Sequence, residues 1–469
     1  MNSGGSEIVG GVNRPRKATD AHAVEIAQII ALKVRVIGAA FFAESAAFIL
    51  CCTYLMFEYV RPQSIYPALE LLPFAQITIL AGTSLTLLER LASKKGIVGS
   101  QWALLVAYLS VAVLSLAISN HPVDGFATLQ LLLTWYVAIY FISGSVTTER
   151  RFVLFYMLFL LFSFKMSQFG FRSWAQRGFS WDPIGVTGAP GWFNNSGEVG
   201  VQMCIFLPMM LHFMSAGWRQ WGYLKRAVVS VVPITIIGTV LGSSSRGALI
   251  GSAAALMWML MRAKRGKLQI LSALIAVGAV CYWSIPPEFA SRFNAIGQDD
   301  TSQLRLTYWK WGWETALDNP IFGIGIGNWE AEYANHLVSI GSKARVQLPH
   351  NIFILAASEL GFVGLTLLLA LIASTFVLNS RTRKLADRCE NQFLRHCALG
   401  MDAGMIGYLV SAQFVTVLYY PYLWIGLAMT IALHNVAYWQ AKAMTVSVVG
   451  ASVSAAKATA ERRTERRRN

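Results

Sequence analysis

The run HNIFILAASELGFVGLTLLLALIASTFVL, residues 350–378, decides the fold class of this chain. Glu359 is its only carboxylate, and it contains neither lysine nor arginine. A helix needs roughly 20 mainly apolar residues to cross the hydrocarbon core of a bilayer, and this run is longer. A soluble helix would instead show apolar residues at periodic spacing. The run therefore predicts a transmembrane helix.

The composition of the whole chain agrees with this reading. The chain has 469 residues, of which 55% are hydrophobic and 13% charged, whereas a soluble domain carries about 25% charged residues. The mean hydropathy is +0.49. These values exclude a cytosolic enzyme, a disulfide-stapled secreted domain and a disordered protein. They indicate an all-α polytopic membrane protein.

Apolar runs like the first recur along the chain, and they predict about twelve transmembrane helices. The predicted spans are 36–59, 72–91, 101–119, 126–143, 151–169, 198–215, 227–242, 247–262, 268–286, 350–378, 398–418 and 421–440.

The distribution of basic residues predicts the orientation. The chain has 39 Lys and Arg against 24 Asp and Glu, and a net charge of +15. With both termini in the cytoplasm, most of the basic residues fall in inside loops, as the positive-inside rule requires. The charge is therefore interpreted as loop charge, not as a nucleic-acid surface. We predict a basic cytoplasmic segment 1–35, a transmembrane domain 36–440 and a disordered basic cytoplasmic tail 441–469 near anionic headgroups.

One predicted periplasmic loop, residues 287–349, is too long to be a simple connector. Its stretch QLRLTYWKWGWETAL, residues 303–317, has a helical pattern, and Trp309, Trp311 and Trp313 suit a helix at the membrane interface. The following DNPIFGIGIGNW, residues 318–329, predicts a tight glycine turn. It lacks the strand and helix context of a dinucleotide site.

Three cationic or titratable residues near the predicted outer surface are candidates for chemistry. Arg246 lies in GSSSRGAL, residues 242–249, between two spans, and a guanidinium there suits a phosphate. The alternative is an arginine that reaches headgroups. Arg305, taken alone, is better explained as a solvated or headgroup-facing arginine. For His350, at the mouth of the tenth span, position alone is equally consistent with a helix cap and with a functional base.

The other polar candidates are weaker. Arg61 belongs to a group of outer basic residues, and Asn195 and Glu198 lie at the outer entrance of the sixth span, where Glu198 could pair with an arginine. Glu359 is interpreted as a structural hydrogen-bonding residue. Glu44 and Asp402 are intramembrane acids without an assigned partner. The outer loops offer no cluster of metal ligands, so we expect no metal site and no cofactor.

Three motifs in this order resemble the O-antigen ligase-like family of bacterial membrane proteins. They are SSSRG, then LRLTYWKWGWETALDNPIFGIGIGNW, then LPHNIFILAASELGFVGLTLLL, and the similar core covers roughly 190–380. The family includes O-antigen ligases, Wzy-type polysaccharide polymerases and O-oligosaccharyltransferases. FEYVRPQSIYP and FNNSGEVG further resemble the exosortase-associated O-glycosylation ligases. The chain departs from that family's usual DNN step, because it has Phe193-Asn194-Asn195.

The resemblance implies a glycosyltransferase in the bacterial inner membrane. It implies transfer, on the periplasmic face, of a glycan from undecaprenyl diphosphate to a hydroxyl of a glycan, lipid A core or protein acceptor. His350 matches the family's general base, and Arg246 and Arg305 match arginines that hold the diphosphate. Arg61, Asn195, Glu198 and Asn351 are further candidates for substrate binding. The family needs neither ATP nor metal, and a single displacement predicts inversion at the anomeric carbon.

Two other functions remain open from the sequence. A flippase or other transporter of lipid-linked oligosaccharides fits twelve spans and buried charges, although the polar residues concentrate at the outer rim rather than at the midplane. A structural membrane scaffold is the second. The acceptor, the glycan and the oligomeric state do not follow from the sequence.

Overall fold

The computed structural model describes residues 16–468, apart from 70, 94–95, 98, 100, 183, 264–265, 285–299 and 343. All regular elements in these ranges are helices. They are α1 Arg16–Ile30, α2 Val34–Phe42, α3 Ala46–Tyr59, α4 Pro62–Ile65, α5 Phe74–Ser93, α6 Gln101–Ala117, α7 Pro122–Ser145, α8 Glu149–Gln176, α9 Ser196–Gly217, α10 Tyr223–Gly242, α11 Arg246–Arg262, α12 Lys267–Ser284, α13 Asp300–Asp318, α14 Trp329–Ser339, α15 Ile352–Arg388, α16 Gln392–Ser411 and α17 Pro421–Arg468.

The all-helical prediction is confirmed for the described residues, and several helices are long and apolar enough to cross a membrane. Five meet both criteria, and the bent pair α2–α3 makes a sixth if it is counted as one span. The five are Pro122–Ser145, Glu149–Gln176, Ser196–Gln220, Tyr223–Gly242 and Ile352–Arg388. The total of twelve spans and the periplasmic position of the long loop stay predictions.

The first predicted span, 36–59, is not one straight helix. It breaks between α2 and α3, which are bent by 117°. Glu44 lies at the break, and its two carboxylate oxygens each accept a hydrogen bond at 2.6 Å, from Nε of Arg150 and from Nε of Arg151. A buried carboxylate is stable only with such partners. Glu44 therefore has the partners that its sequence context does not reveal.

Asp402, the other acid without an assigned partner, is also paired. Its carboxylate accepts hydrogen bonds from Nη1 of Arg383 and, at 2.8 Å, from Nδ2 of Asn379. Arg383 lies on the long C-terminal extension of α15, which continues ten residues past the predicted end at 378. The pair thus joins α15 to α16.

The predicted inside loops converge at one end of the bundle. Nε1 of Trp221 donates to the carbonyl of Ile30 at 2.8 Å, and Nδ2 of Asn391 donates to Glu149 at 2.6 Å. The predicted outside loops meet at the opposite end, described below, which we call the outer end. This grouping agrees with the alternation of the predicted topology. Which end faces the cytoplasm stays a prediction.

The glycine turn fits into a break in α15. Gly361 has φ 66° and ψ −175° inside that helix, so carbonyls before it lose their helical donors. The turn replaces them, because the N–H groups of Ile324 and Gly325 donate to the carbonyls of Ser358 and Glu359 at 2.9 and 3.0 Å. A Cβ on Gly361 would lie 2.4 Å from the carbonyl oxygen of Ile321. The turn and the helix break are therefore one structural unit.

The helix predicted to lie at the membrane interface packs on the bundle as well. A Cβ on Gly312 of α13 would meet Ile354 at 2.6 Å and Trp329 at 2.7 Å, so α13 lies close against α15. The Trp311 ring contacts that of Trp329 at 4.7 Å, whereas Trp313 is 46% exposed. Of these two tryptophans only Trp313 therefore keeps the exposure that an interfacial anchor requires.

The C-terminal segment differs from its prediction. Residues 441–469 were expected to be disordered, but α17 continues from Pro421 to Arg468. The segment after Gly450 contains neither glycine nor proline and is rich in Ala, Glu, Lys and Arg, all of which favour helix. This composition accounts for the helix in the structure.

Candidate active site at the outer end

A short non-helical segment, residues 412–420, connects the parts of the outer end, and we call it the crosspiece. The prediction placed a span over 398–418, but α16 ends at Ser411 and leaves the crosspiece without helix. Oγ1 of Thr416 accepts from the backbone N–H of His350 at 2.8 Å. The hydroxyl of Tyr419 donates to Glu359 at 2.8 Å, and that of Tyr420 donates to Glu198 at 3.0 Å. One segment thus contacts three separate predicted polar positions.

His350 is held in an unusual backbone conformation. Its φ is 51°, in the left-handed region that a residue with a Cβ rarely occupies. Besides Thr416, Nε1 of Trp309 fixes the segment before it by donating to the carbonyl of Pro349 at 2.9 Å. Nε1 of Trp329 donates to the carbonyl of Gln347, also at 2.9 Å. Three hydrogen bonds therefore hold His350 and the segment before it in place, and unusual backbone conformations held in this way are common at functional sites.

The surroundings of His350 keep its ring neutral. Burial, which disfavours the charged imidazolium, and the positive charge of Arg305 together lower the pKa of His350 to about 4. Arg305 is half-buried on α13. At neutral pH the imidazole therefore has a lone pair that can accept a proton, and a guanidinium is close enough to influence it.

Asn351 caps the next helix. Its Oδ1 accepts from the N–H groups of Phe353 and Ile354 at 2.9 and 3.2 Å, and its residue is buried, at 7% exposure. This oxygen satisfies N–H groups that the helix start would otherwise leave unpaired. Helix capping therefore accounts for an asparagine at position 351. Its role in substrate binding stays a prediction.

Arg246 is the first residue of α11, at a serine-rich turn. Ser244 has φ 52°, and Oγ of Ser245 accepts from the N–H of Ala248 at 3.3 Å as the N-cap. Arg246 is half-buried. The N-terminus of a helix carries partial positive charge and favours anions. The positive charge of the Arg246 guanidinium and the partial positive charge of the helix N-terminus therefore both favour an anion here.

The turn that carries Arg246 reaches the crosspiece. A Cβ on Gly247 would lie 3.0 Å from Cβ of Phe414, which is two residues from Thr416 in the crosspiece. The helix start with Arg246 and the backbone of His350 are therefore attached to the same short segment. Arg305 joins them from α13 through its electrostatic effect on His350.

Asn195 and Glu198 form a reciprocal cap at the start of α9. Oδ1 of Asn195 accepts from the N–H of Gly197 at 2.8 Å, and Oε2 of Glu198 accepts from the N–H of Asn195 at 2.8 Å. The sequence left open a pair between Glu198 and an arginine, and in the structure its other oxygen accepts from the Tyr420 hydroxyl. A backbone N–H and a phenol satisfy this carboxylate.

Arg61 lies beside this cap. Its guanidinium lies over the Trp192 ring at 5.6 Å, and a Cβ on Gly191 would be 2.4 Å from its Cζ. The Trp192 ring in turn contacts that of Tyr420 at 5.1 Å. Arg61 is therefore linked to the crosspiece through the Trp192 ring. Its role in substrate binding is untested by these contacts.

Glu359 is the hydrogen-bonding residue that the sequence indicated. Its carboxylate accepts from the hydroxyl of Tyr419 and, at 3.4 Å, from the N–H of Trp329. Oγ of Ser115 donates to its carbonyl at 2.8 Å. Glu359 thus joins the crosspiece, the glycine turn and the break in α15 below His350.

Sequence reasoning missed the crosspiece and Thr416. Gln413 and Thr416 are polar residues near the end of an apolar run, just before Pro421, and this was the available signal for an early helix end. The described residues contain no group of three His, Cys, Asp or Glu side chains able to hold a metal ion.

One family model matches the central part of the chain. Residues 231–369 match the family model described as O-Antigen ligase. This region contains Arg246, Arg305, the glycine turn and His350. None of the curated protein sequences matches the chain. The match supports assignment to an O-antigen ligase-like family and a glycan ligase or polymerase kind of function, and the apolar helices support a multi-pass membrane protein.

Proposed function

We propose that this O-antigen ligase-like protein is an inverting glycosyltransferase that moves a glycan from undecaprenyl diphosphate to an acceptor hydroxyl. The outer end would face the periplasm of a bacterial inner membrane, with both termini in the cytoplasm. The acceptor is a glycan, lipid A core or a protein. The observation that carries the proposal is the attachment of His350 and of the helix start with Arg246 to one crosspiece, with Arg305 beside His350.

The reaction is a single displacement. The acceptor oxygen attacks the anomeric carbon and forms the new glycosidic bond, while the bond from that carbon to the phosphate oxygen breaks. Undecaprenyl diphosphate leaves with the electron pair, and the proton of the acceptor hydroxyl passes to the imidazole of His350. A proton acceptor positioned in this way is typically worth about 10²–10⁴ in rate.

Arg246 and Arg305 would stabilise the leaving group. Negative charge develops on the diphosphate as the bond breaks, and fixed cations in a water-poor site stabilise such charge strongly. Guanidinium groups can contact phosphate oxygens with two hydrogen bonds at once. The dipole of α11 would add to the charge of Arg246. These groups would do what a metal ion does in other glycosyltransferases, so the reaction needs no added metal.

The low pKa of His350 is compatible with its role as base. In the protein without donor, Arg305 helps to keep the imidazole neutral. A bound diphosphate would offset the charge of Arg305 and thereby raise the pKa of His350. The proton affinity of His350 would thus increase when the donor is in place.

The experiment is reconstitution of the purified protein in proteoliposomes with an undecaprenyl diphosphate-linked glycan and an acceptor. We expect transfer with release of undecaprenyl diphosphate, and loss of both in Arg246→Ala. Arg172→Ala is the control, because it removes an exposed arginine from the end of α8. Movement of the donor between leaflets without transfer would contradict the proposal and favour a flippase.

A further inference from the structure

A cavity lies at the outer end, between α13 and α14, and we call it the outer groove. Its volume is about 360 Å³. The lining residues that matter here are Trp311, Asp318, Asn319, Glu332, Asn335 and His336. Asp318, Asn319 and Asn335 are exposed, and Glu332 and His336 are half-buried. Several hydrogen-bonding side chains are thus open to the solvent beside the half-buried ring of Trp311.

This set of side chains suits a carbohydrate. The apolar C–H face of a pyranose ring can stack on an indole, and its hydroxyl groups can donate to carboxylates and exchange hydrogen bonds with amides. Among the described lining residues there are two carboxylates and neither lysine nor arginine. The groove therefore disfavours uronic acids and other acidic sugars, and favours neutral or amino sugars.

The groove is rigid before any ligand binds. The Trp311 ring contacts the rings of Trp329 at 4.7 Å and Tyr333 at 4.8 Å. Oε1 of Glu332 accepts from Nδ2 of Asn120 at 3.1 Å. A binding site that is already ordered loses less conformational entropy when its ligand arrives.

The loop between α6 and α7 contacts two of the lining side chains from outside the groove. Besides the bond from Asn120 to Glu332, Nδ2 of Asn335 lies 3.2 Å from Nε2 of His121. His121 also lies 3.6 Å from Glu332. Two segments that the topology predicts on the same side of the membrane therefore fix the polar side chains of the groove.

The position of the groove relates it to the candidate active site. Trp311 follows Arg305 by six residues on α13, roughly 9 Å along the helix axis, and Asp318 is roughly 20 Å from Arg305 along that axis. Trp311 also lies about 120° around the helix from Arg305, so the groove and Arg305 lie on different faces of α13. A sugar chain reacting at His350 could extend into the groove.

We propose that the outer groove is a binding site for neutral or amino sugars of the glycan chain, distal to the bond that reacts. The inference rests on the proposed function for its role in transfer. The outer groove makes the protein selective for sugars of the chain other than the one that reacts. Asp318 and Asn335 would supply the hydrogen bonds, and Trp311 the stacking surface.

Binding can be measured without any lipid-linked donor. The purified full-length protein in nanodiscs is tested against an array of neutral, acetamido and uronic-acid tetrasaccharides. We expect neutral or acetamido tetrasaccharides to bind and the uronic-acid ones to bind at least about tenfold more weakly. Asp318→Ala and Asn335→Ala should each weaken binding about tenfold, since one hydrogen bond to a polar or charged group is worth about that factor.

Glu314→Ala is the matched control, because it removes an exposed carboxylate from the same helix outside the groove. Its binding should equal that of the wild type. If no tetrasaccharide binds, or if the double variant Asp318→Ala, Asn335→Ala binds as well as wild type, the proposal is wrong.

Transfer kinetics then identify the chain that occupies the groove. A raised KM for the acceptor with unchanged kcat in Asp318→Ala assigns the groove to the acceptor, and a raised KM for the donor assigns it to distal donor sugars. Unchanged constants for both would exclude a role in the reaction and contradict the proposal. A protein that binds sugars but transfers none would contradict the proposed function and leave the groove as a sugar site.

Discussion

The hydrogen bond between Thr416 and His350 offers a sharp test of how the base is positioned. Thr416→Val keeps the shape of the side chain but removes the oxygen that accepts from the His350 N–H at 2.8 Å. His350 also has φ 51°, a conformation that costs roughly 1–2 kcal/mol for a residue with a Cβ. Without this acceptor, the segment that carries His350 can relax to a more favourable backbone conformation.

The magnitude follows from the lost bond. An N–H group left without a partner in a half-buried site costs about 1–3 kcal/mol. If the imidazole is displaced and the activation free energy of transfer rises by that amount, the rate of transfer falls by about 5- to 150-fold. Thr416→Ser retains a hydroxyl oxygen and should stay within a few-fold of wild type.

The assay compares kcat for glycan transfer by the two purified variants, with thermal melting as the check on folding. The expected pattern is a low kcat for Thr416→Val, a nearly normal KM for the donor and a near-normal kcat for Thr416→Ser. Equal kcat in Thr416→Val, Thr416→Ser and wild type would refute the idea that the crosspiece positions His350.

The remaining predictions concern the same site and its support. The value of kcat/KM for the donor, which reports the protein without bound donor, should stay constant from pH 8 to about 5 and fall as the pH approaches 4, because protonated His350 cannot accept a proton. Arg305→Gln removes a positive charge, raises the pKa of His350 and should move this fall in kcat/KM to higher pH. Arg246→Lys should lower the rate of transfer at least about tenfold, because lysine keeps the charge but cannot contact phosphate with two hydrogen bonds at once. Wild-type kinetics in this variant would mean that Arg246 only contacts lipid headgroups. Gly361→Ala should lower stability by more than about 1 kcal/mol in a melting assay, whereas Gly38→Ala, with open space around it and ordinary backbone angles, should not. Transfer should persist in excess EDTA, and activity restored only by magnesium would contradict the arginine mechanism.

The sequence predicted the class of the fold well, because apolar runs and basic loops follow directly from the properties of a bilayer. It predicted the ends of the elements less well. The break at Glu44 depends on Arg150 and Arg151, which lie far away in the chain. The early end of α16 depends on contacts of the crosspiece with His350, Glu359 and Glu198, and its local signal, two polar residues before Pro421, is weak.

The candidate site shows the same division. Arg246 stood out because a charge is costly near a membrane, His350 because of its position at the mouth of a span, and Arg305 only through the resemblance to the family. Asn195, Glu198 and Asn351 also stood out, but hydrogen-bonding residues at the start of a helix are explained by capping. Their type alone could not separate a cap from a substrate contact.

Thr416 did not stand out, because a lone threonine near the end of an apolar run is an ordinary residue. Its importance comes from the fold, which brings it to the backbone of His350 from 66 residues further along the chain. The same holds for Trp309, which resembled a membrane anchor and instead donates to Pro349. Positioning residues of this kind become visible only in the folded structure.

The central claim is that the imidazole of His350 accepts the proton of the acceptor hydroxyl. The most direct measurement is kcat for glycan transfer by purified His350→Ala, with lipid-linked donor and acceptor, in a preparation whose melting temperature matches wild type. The account predicts a loss of about 10²–10⁴ in kcat with donor binding retained. A kcat within a few-fold of wild type would contradict it.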